Sequence, residues 1–273
     1  MRRLIPLAEA PREIWANKRV VMLDIDDTVT TDGRLPHESY TALAALAAAG
    51  FRVIPVTGRP AGWCDMIARF WPVDAVVGEN GAFSFRYDHA ARRMLRSYAA
   101  SPSERALQRD KLDALAKLIL AEVPGSAIAS DQAYREADLA IDFCEDVPPL
   151  SDTAIDRIIA LFEQAGAVAK ASSIHVNGWF GTHDKLSTAL RLLATEFSCP
   201  ADAAKRAVVF IGDSANDSPM FGFFEDAVGV SNIREQADRC PALPRWITAA
   251  RSGEGFVELA NILITARGNS LTG

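Results

Sequence analysis

Short apolar runs alternate with amphipathic stretches along the first third of the chain, and this rhythm predicts strands and helices in turn. Arg19 to Ile25 (RVVMLDI) is apolar, β-branched and short, as a buried parallel strand should be. Pro36 to Ala49 reads as a helix, opened by its proline and closed by Gly50. Phe51 to Val56 reads as a second strand, Pro60 to Phe70 as a second helix, and Asp74 to Val77 as a third strand. A βαβαβ beginning implies a parallel sheet with right-handed crossovers.

The middle of the chain changes pattern. Ala82 to Tyr87 reads as a hairpin arm, and Ser101-Pro102-Ser103-Glu104 is a capping box with proline at the first helical position. The helix it opens runs to about Ala121, and Leu139 to Phe143 follows as a strand. Ser151 to Ala165 reads as a helix closed by Gly166. Ala167 to Ser172 and Ile174 to Trp179 read as two strands around Ser172-Ser173. The α/β rhythm then resumes with a helix at Lys185 to Phe197, a strand at Ala207 to Ile211 and a short helix at Asp217 to Phe223. A strand at Ala227 to Val230 and a helix at Gly255 to Ala266 complete it. The expected fold is thus an α/β parallel-sheet domain interrupted by an α+β insertion of about 100 residues, an ordinary domain size. The expected divisions are a first core part at 1–84 (with 1–18 as an arm), the insertion at 85–182 and a second core part at 183–273.

Composition narrows the function classes. The chain has 273 residues, 49% hydrophobic and 23% charged, with a formal net charge of −6. That balance is globular, and the acidic excess argues against a nucleic-acid-binding surface. No apolar run reaches the roughly 18 residues of a membrane span, and the N-terminus lacks a secretory pattern. Cys64, Cys144, Cys199 and Cys240 form no zinc spacing and read as small apolar residues in a reducing compartment. A cytoplasmic protein is the expectation; the oligomeric state is left open.

Four segments carry chemistry, each at a strand end or helix start, the edge where open α/β sheets bind ligands. Asp24-Ile25-Asp26-Asp27-Thr28 places Asp24 and Asp26 on one side of an extended strand, and its carboxylates suit Mg²⁺. Val56-Thr57-Gly58-Arg59-Pro60 offers a hydroxyl and a glycine amide to an oxyanion. Asp184-Lys185 opens a helix with a cation suited to a phosphoryl group. Gly212-Asp213-Ser214-Ala215-Asn216-Asp217 supplies further carboxylates after an apolar strand. Taken singly, each has a plainer reading: an acidic turn, a strand-to-helix turn, a solvated lysine, two helix-capping acids.

In this order the four segments resemble the motifs of the haloacid dehalogenase superfamily of phosphatases and phosphotransferases. The resemblance covers residues 19–82 and 183–230. It implies a Rossmann-like core, with the insertion at the place of a C2-type cap. Glu79-Asn80-Gly81-Ala82 further resembles the Cof-like sugar phosphatases of subfamily IIB, which carry the C2B-type cap. Sucrose-phosphate, trehalose-phosphate and mannosylglycerate-phosphate phosphatases belong to that neighbourhood.

The resemblance implies roles. Asp24 becomes the nucleophile of an aspartyl-phosphate. Asp26 becomes the acid and base for the leaving alcohol and the water. Asp24, Asp26 (through its backbone carbonyl) and Asp213 hold Mg²⁺, with Asp217 as a ligand or behind one. Thr57, Gly58, Lys185 and Asn216 bind the phosphoryl group. Asp27 stands where many relatives carry glycine. Substrate choice is expected from the cap, with Arg135, His175, Asn177 and Trp179 as candidates beside Arg59, Glu79 and Asn80. His175, Asn177 and Trp179 alternate along one strand and so share a face. Trp63 and Trp71 are expected to pack in the core or between the domains. The leading function is a Mg²⁺-dependent phosphomonoesterase acting on a small phosphorylated metabolite, most plausibly a sugar phosphate. A phosphomutase of the same fold, a phosphoaspartate receiver and a non-catalytic sugar-phosphate sensor are the alternatives.

Overall fold

A computed structural model of the chain describes residues 4–172 and 174–268; Ser173, in the expected turn between two strands, lies outside the described residues. The strands are β1 Ile5–Pro6, β2 Val20–Leu23, β3 Arg52–Pro55, β4 Val76–Gly78, β5 Phe83–Asp88 and β6 Arg93–Tyr98. They continue with β7 Ala127–Ile128, β8 Leu139–Asp142, β9 Val168–Ala171, β10 His175–Trp179, β11 Val208–Gly212, β12 Val228–Gly229 and β13 Trp246–Ile247. The α-helices are α1 Arg12–Ala16, α2 His37–Ala48, α3 Ala61–Phe70, α4 Pro102–Glu122 and α5 Asp152–Gln164. After them come α6 Lys185–Phe197, α7 Ala201–Ala207, α8 Ser218–Phe223, α9 Ile233–Gln236 and α10 Ser252–Gly268.

A six-stranded parallel sheet, in the order β1-β13-β12-β11-β2-β3, forms the centre. Its strands are short apolar runs buried on both faces, so alternate residues feed two cores. Val21 and Leu23 pack with Leu43, Leu46, Phe256 and Leu263 of α2 and α10. Val20 and Met22 pack on the opposite face with Leu192, Leu193, Met220 and Phe221 of α6 and α8. The register puts Leu23 beside both Ile211 and Pro55. Asp24 N then donates to Ile211 O at 2.9 Å, and Val56 N donates to Leu23 O at 2.8 Å. Three motif-bearing strand ends therefore lie side by side. The chain leaves β2 for β3 on one side and returns as β11 on the other, which makes the end of β2 a topological switch point.

The inserted unit is an antiparallel sheet, β7-β8-β10-β9. Leu139, Ile141, Val176 and Ala169 pack on Leu112, Leu115 and Ile119 of α4 and Ile158 and Phe162 of α5. Gly178 lies under the Phe162 ring, where a Cβ would meet it at 2.0 Å. The helices thus cover one face, and His175, Asn177 and Trp179 take the other. The capping box at Ser101 and Glu104 is formed, with proline inside it.

Residues 4–18, within the expected arm, pack on the central layers: β1 pairs in parallel with β13, and Trp15 is buried edge-on against Trp246. Lys18 Nζ is 2.8 Å from Asp226 Oδ2, a buried pair with a second contact from the ammonium to Arg206 O. The expected division after residue 84 falls inside β5. That strand forms a hairpin with β6, and Phe83, Phe85 and Tyr98 pack with Cys64 and Ile67 of α3. The hairpin therefore goes with the central layers.

Candidate active site

The floor of the site is made where β2, β3 and β11 end. Asp24 leaves β2 buried, and the turn after it is tied by the Val29 and Thr30 amides, which both donate to Ile25 O. Asp27 sits in this turn at φ 52°, in the left-handed region. That is why glycine suits the position, and aspartate is among the few other residues that adopt it readily. Asn232 Nδ2 donates to Asp27 O at 3.0 Å and fixes the turn to the loop before α9. Asp213 follows β11, and its amide and that of Ser214 donate to Asp217 Oδ2 at 3.0 and 3.3 Å. Only glycine fits at 212, because a Cβ there would lie 2.3 Å from that same oxygen.

Lys185 comes to this floor from the start of α6. Asp184 caps the helix through Ser187. The approach of that helix end is permitted by Gly81, at φ 104°, where a Cβ would meet Asp184 O at 2.0 Å. Lys185 Nζ lies 2.9 Å from Asp24 Oδ1 and 2.7 Å from Asp217 Oδ1, with all three groups buried. Oxygens of Asp24, Asp213 and Asp217 lie within 4.8 Å of one another. Burial pushes the Asp24 carboxyl up to about 7; Asp217 and Asp26 add to this and Lys185 opposes it. Burial, with the charges of Asp24 and Asp217, also holds Asp213 well above the usual carboxylate range. Three buried carboxylates against one ammonium leave excess negative charge, and an all-oxygen donor set of this kind fits a hard divalent cation. Asp24, Asp213 and Asp217 are the residues that would hold one. The Asp26 side chain is not part of this group.

Thr57 and Gly58 stand beside the floor. The buried Thr57 hydroxyl accepts from Arg59 N at 3.0 Å, which leaves its own proton to donate. Asn216 is buried near them, its Oδ1 receiving Ser214 Oγ at 2.8 Å. A small cavity joins Asp24, Asp26, Gly58 and Asn216 to Arg135, His175 and Asn177.

The roof is ionic. Arg59 Nε donates to Asp26 Oδ1 at 3.0 Å, and Arg59 Nη2 reaches Glu145 Oε1 at 2.8 Å. Its guanidinium also lies 4.4 Å above the Trp63 ring, which is 39% exposed, so Trp63 serves as a stacking platform here and is not in the core. Arg135 is clamped by Asp131 and Asp138 and donates to Gly58 O at 2.8 Å. Asn177 Nδ2 donates to Asp138 Oδ2, and His175 Nε2 lies 2.8 Å from Glu145 Oε2. Glu79, fully buried, accepts from Ala61 N on α3 and from the amides of Glu136, Ala137 and Asp138. Burial and Asp138 push its carboxyl up to about 8, against Arg135 and those amides.

Asp24, Lys185, Asp213 and Asp217 thus meet, with Thr57, Gly58 and Asn216 alongside. Arg59, Arg135, His175 and Asn177 form the roof, while Trp179 lies in a neighbouring cavity, its Nε1 donating to His183 O. Sequence reasoning missed Asp131, Asp138 and Glu145. The spacing of Asp131, Arg135 and Asp138 hinted at a local cluster; nothing marked Glu145.

Comparison with known proteins follows this geometry. The family profile of haloacid dehalogenase-like hydrolases matches residues 21–116. A phosphoglycolate phosphatase of Haloarcula marismortui is 25% identical over 246 residues, 87% of this chain and 94% of its own. The C-terminal domain of the Candida albicans trehalose-6-phosphate phosphatase superposes with a TM-score of 0.71 at 13% identity, covering 97% of this chain and 99% of that one. A Synechocystis sucrose-phosphatase, solved with sucrose and phosphate, gives 0.60 at 16% identity over 90% of this chain and 98% of that one. Over residues 21–116 the chain is similar to the haloacid dehalogenase-like hydrolases, and its fold is that of the solved structures it superposes on. It is an enzyme of the phosphatase class.

Proposed function

We propose that the chain is a Mg²⁺-dependent phosphomonoesterase that works through an aspartyl-phosphate on Asp24 and takes a sugar phosphate. The observation that carries this is the Lys185 ammonium held between Asp24 and Asp217, with Asp213 completing a buried carboxylate group at the strand ends. A dianionic phosphate cannot approach such a floor bare. Lys185 offsets part of the charge; Asp24, Asp213 and Asp217 would hold Mg²⁺, which would supply the remaining electrostatic stabilisation. Thr57 and Gly58 orient the phosphoryl oxygens. Asp24 attacks phosphorus, the bond to the alcohol oxygen breaks, and Asp26 gives that oxygen a proton. Asp26 then takes a proton from water, whose oxygen displaces Asp24 and leaves inorganic phosphate. Arg59 aims the Asp26 carboxylate throughout. Residues 99–182 act as the cap, and the setting is the cytoplasm.

The roof favours a neutral, hydroxylated leaving group. Arg59 and Arg135 are each matched by carboxylates from Asp26, Asp131, Asp138 and Glu145, so neither is left over for a second anion. The glycolate carboxylate named for the Haloarcula relative would have to displace one of these pairs. Phosphate release from a panel of sugar phosphates, nucleotides and phosphoglycolate tests the reading. Wild type with Mg²⁺, wild type with a chelator, and Asp24→Asn are the three arms. Metal-dependent release of phosphate from sugar phosphates, lost in Asp24→Asn, supports it. Turnover of phosphoglycolate alone overturns the sugar assignment. A stable phosphoprotein that releases no phosphate overturns the phosphatase.

A further inference from the structure

Beside the phosphoryl site lies a second cavity of about 230 Å³, bounded by Asn80, Lys170, Trp179, His183, Lys185 and Asn216. It shares Asn216 with the small cavity over Asp24 and Asp26, so the two meet at that residue. Its size is below the roughly 300–1,000 Å³ of a whole ligand site, which suits one ring-sized piece of a larger ligand.

Its polar groups are built but unmatched. Asn80 is 2% exposed, and neither atom of its amide has a hydrogen-bond partner. The residue is fixed in the left-handed region at φ 53°, and its backbone N–H donates to Thr57 O at 3.0 Å. The side chain lies against Gly58, where a Cβ would be 3.1 Å from Nδ2. His183 Nε2 is buried and likewise has no partner. Its ring stacks on Trp179 with centroids 5.6 Å apart, and burial lowers its pKa and favours the neutral imidazole. Buried polar groups are nearly always satisfied, so a donor and acceptor left open in pairs call for a ligand that offers both. A phosphate only accepts. A sugar hydroxyl donates and accepts, and an indole face suits the apolar side of a pyranose ring.

We propose that this cavity is a subsite for a hydroxylated ring, holding the part of the substrate that lies beyond the ring bearing the phosphate. The proposal rests on the sugar-phosphate reading above and narrows it to substrates of at least two rings. Asn80 and His183 bind the hydroxyls, Trp179 forms the wall, and Lys170 stands at the mouth.

Two experiments separate the proposal from that reading. The first needs no turnover: calorimetric and tryptophan-fluorescence titration of Asp24→Asn with a neutral disaccharide, with a monosaccharide for contrast. Saturable binding of the disaccharide, weakened about tenfold by Asn80→Ala or by His183→Ala, is expected for loss of one buried polar contact. Loss of the fluorescence response in Trp179→Phe would place the sugar at that wall. Should that variant fail to fold, the calorimetry of the other two carries the test. No binding of the disaccharide, or binding indifferent to both alanine variants, overturns the subsite even if the protein is a phosphatase. The second compares KM for a disaccharide phosphate and for a short phosphoester. The alanine variants should raise the first relative to the second by about tenfold. An equal rise for both substrates overturns the subsite and assigns Asn80 to the phosphoryl group instead.

Discussion

The floor and the roof of this site are built on different physics. The floor stands on three neighbouring parallel strands, each buried on both faces and locked in register, so Asp24, Asp213 and Lys185 are held by the hydrophobic core beneath them. The roof is held to the floor by charges and amides: Arg59 to Asp131 and Glu145, Arg135 to Gly58, Glu79 to residues 136–138. Apolar burial offers nothing to exchange for water, whereas ionic and amide contacts can be exchanged for contacts to water or substrate. The floor is suited to fixed positioning. The roof is suited to opening, as the proposed cap would have to do to admit substrate and release product.

Changing the floor should therefore cost rate, and by the largest margin. Asp24→Asn removes the proposed nucleophile while preserving shape, and kcat should fall by about 10⁴-fold or more, with the fold intact by circular dichroism. Chelation should abolish turnover as well. Adding Mg²⁺ should raise the melting temperature of the wild type, because a cation relieves three crowded carboxylates. At a hundredfold excess over its dissociation constant the gain is about 2.7 kcal/mol. Asp213→Asn should lose most of that rise in a thermal scan. A melting temperature that ignores Mg²⁺ in both proteins would break the assignment of the carboxylates to a metal.

Changing the roof should cost stability before rate. Arg135 is the sharpest case, since its side chain is buried between Asp131 and Asp138. Arg135→Met leaves both carboxylates without their cation and should destabilise the protein by about 3–5 kcal/mol in urea unfolding. An effect under 1 kcal/mol would mean that the two carboxylates find other partners, and that the roof is looser than the ion pairs suggest.

What the sequence made legible follows the same division. The floor could be read because a short β-branched run announces a buried strand, and acidic, hydroxyl and glycine residues at its end announce chemistry. Val20–Leu23 followed by Asp24 and Val208–Gly212 followed by Asp213 are local signals. The pairing of β1 with β13 is two residues long and joins positions 241 apart, so no local periodicity records it. The same holds for the roof. Arg59 meets Glu145 across 86 residues of chain and Arg135 meets Gly58 across 77, and neither charge shows its partner in its own neighbourhood. Asp27 is an instructive case between the two. The sequence left open whether Asp27, in place of a glycine, adds a carboxylate contact or only changes the turn; its backbone at φ 52° shows the conformation that suits a glycine there.

The smallest effect expected is the pH dependence of roof closure through Glu145, which a readout confined to the roof separates from the titration of the floor carboxylates. The His175 imidazole, 2.8 Å away, holds the Glu145 carboxyl at about 2, below its ordinary 4.5, with Arg59 adding to the effect and partial burial opposing it. A carboxyl depressed in the folded state stabilises above its unfolded pKa, and that contribution fades as pH falls through the folded value. The window is therefore about pH 4.5 down to about 2, and the Glu145 contribution is fully present at neutrality. Glu145 is partly exposed, so solvent screens the pair and the gain is modest. Glu145→Gln removes the titrating group but keeps the shape. Limited proteolysis at the roof, run from pH 7 to pH 3, should show the wild type becoming more susceptible at the acid end while the variant is already susceptible at pH 7 and changes less. Parallel profiles for the two proteins would show that Glu145 does not hold the roof down, leaving Arg135 and Glu79 as its ties to the floor.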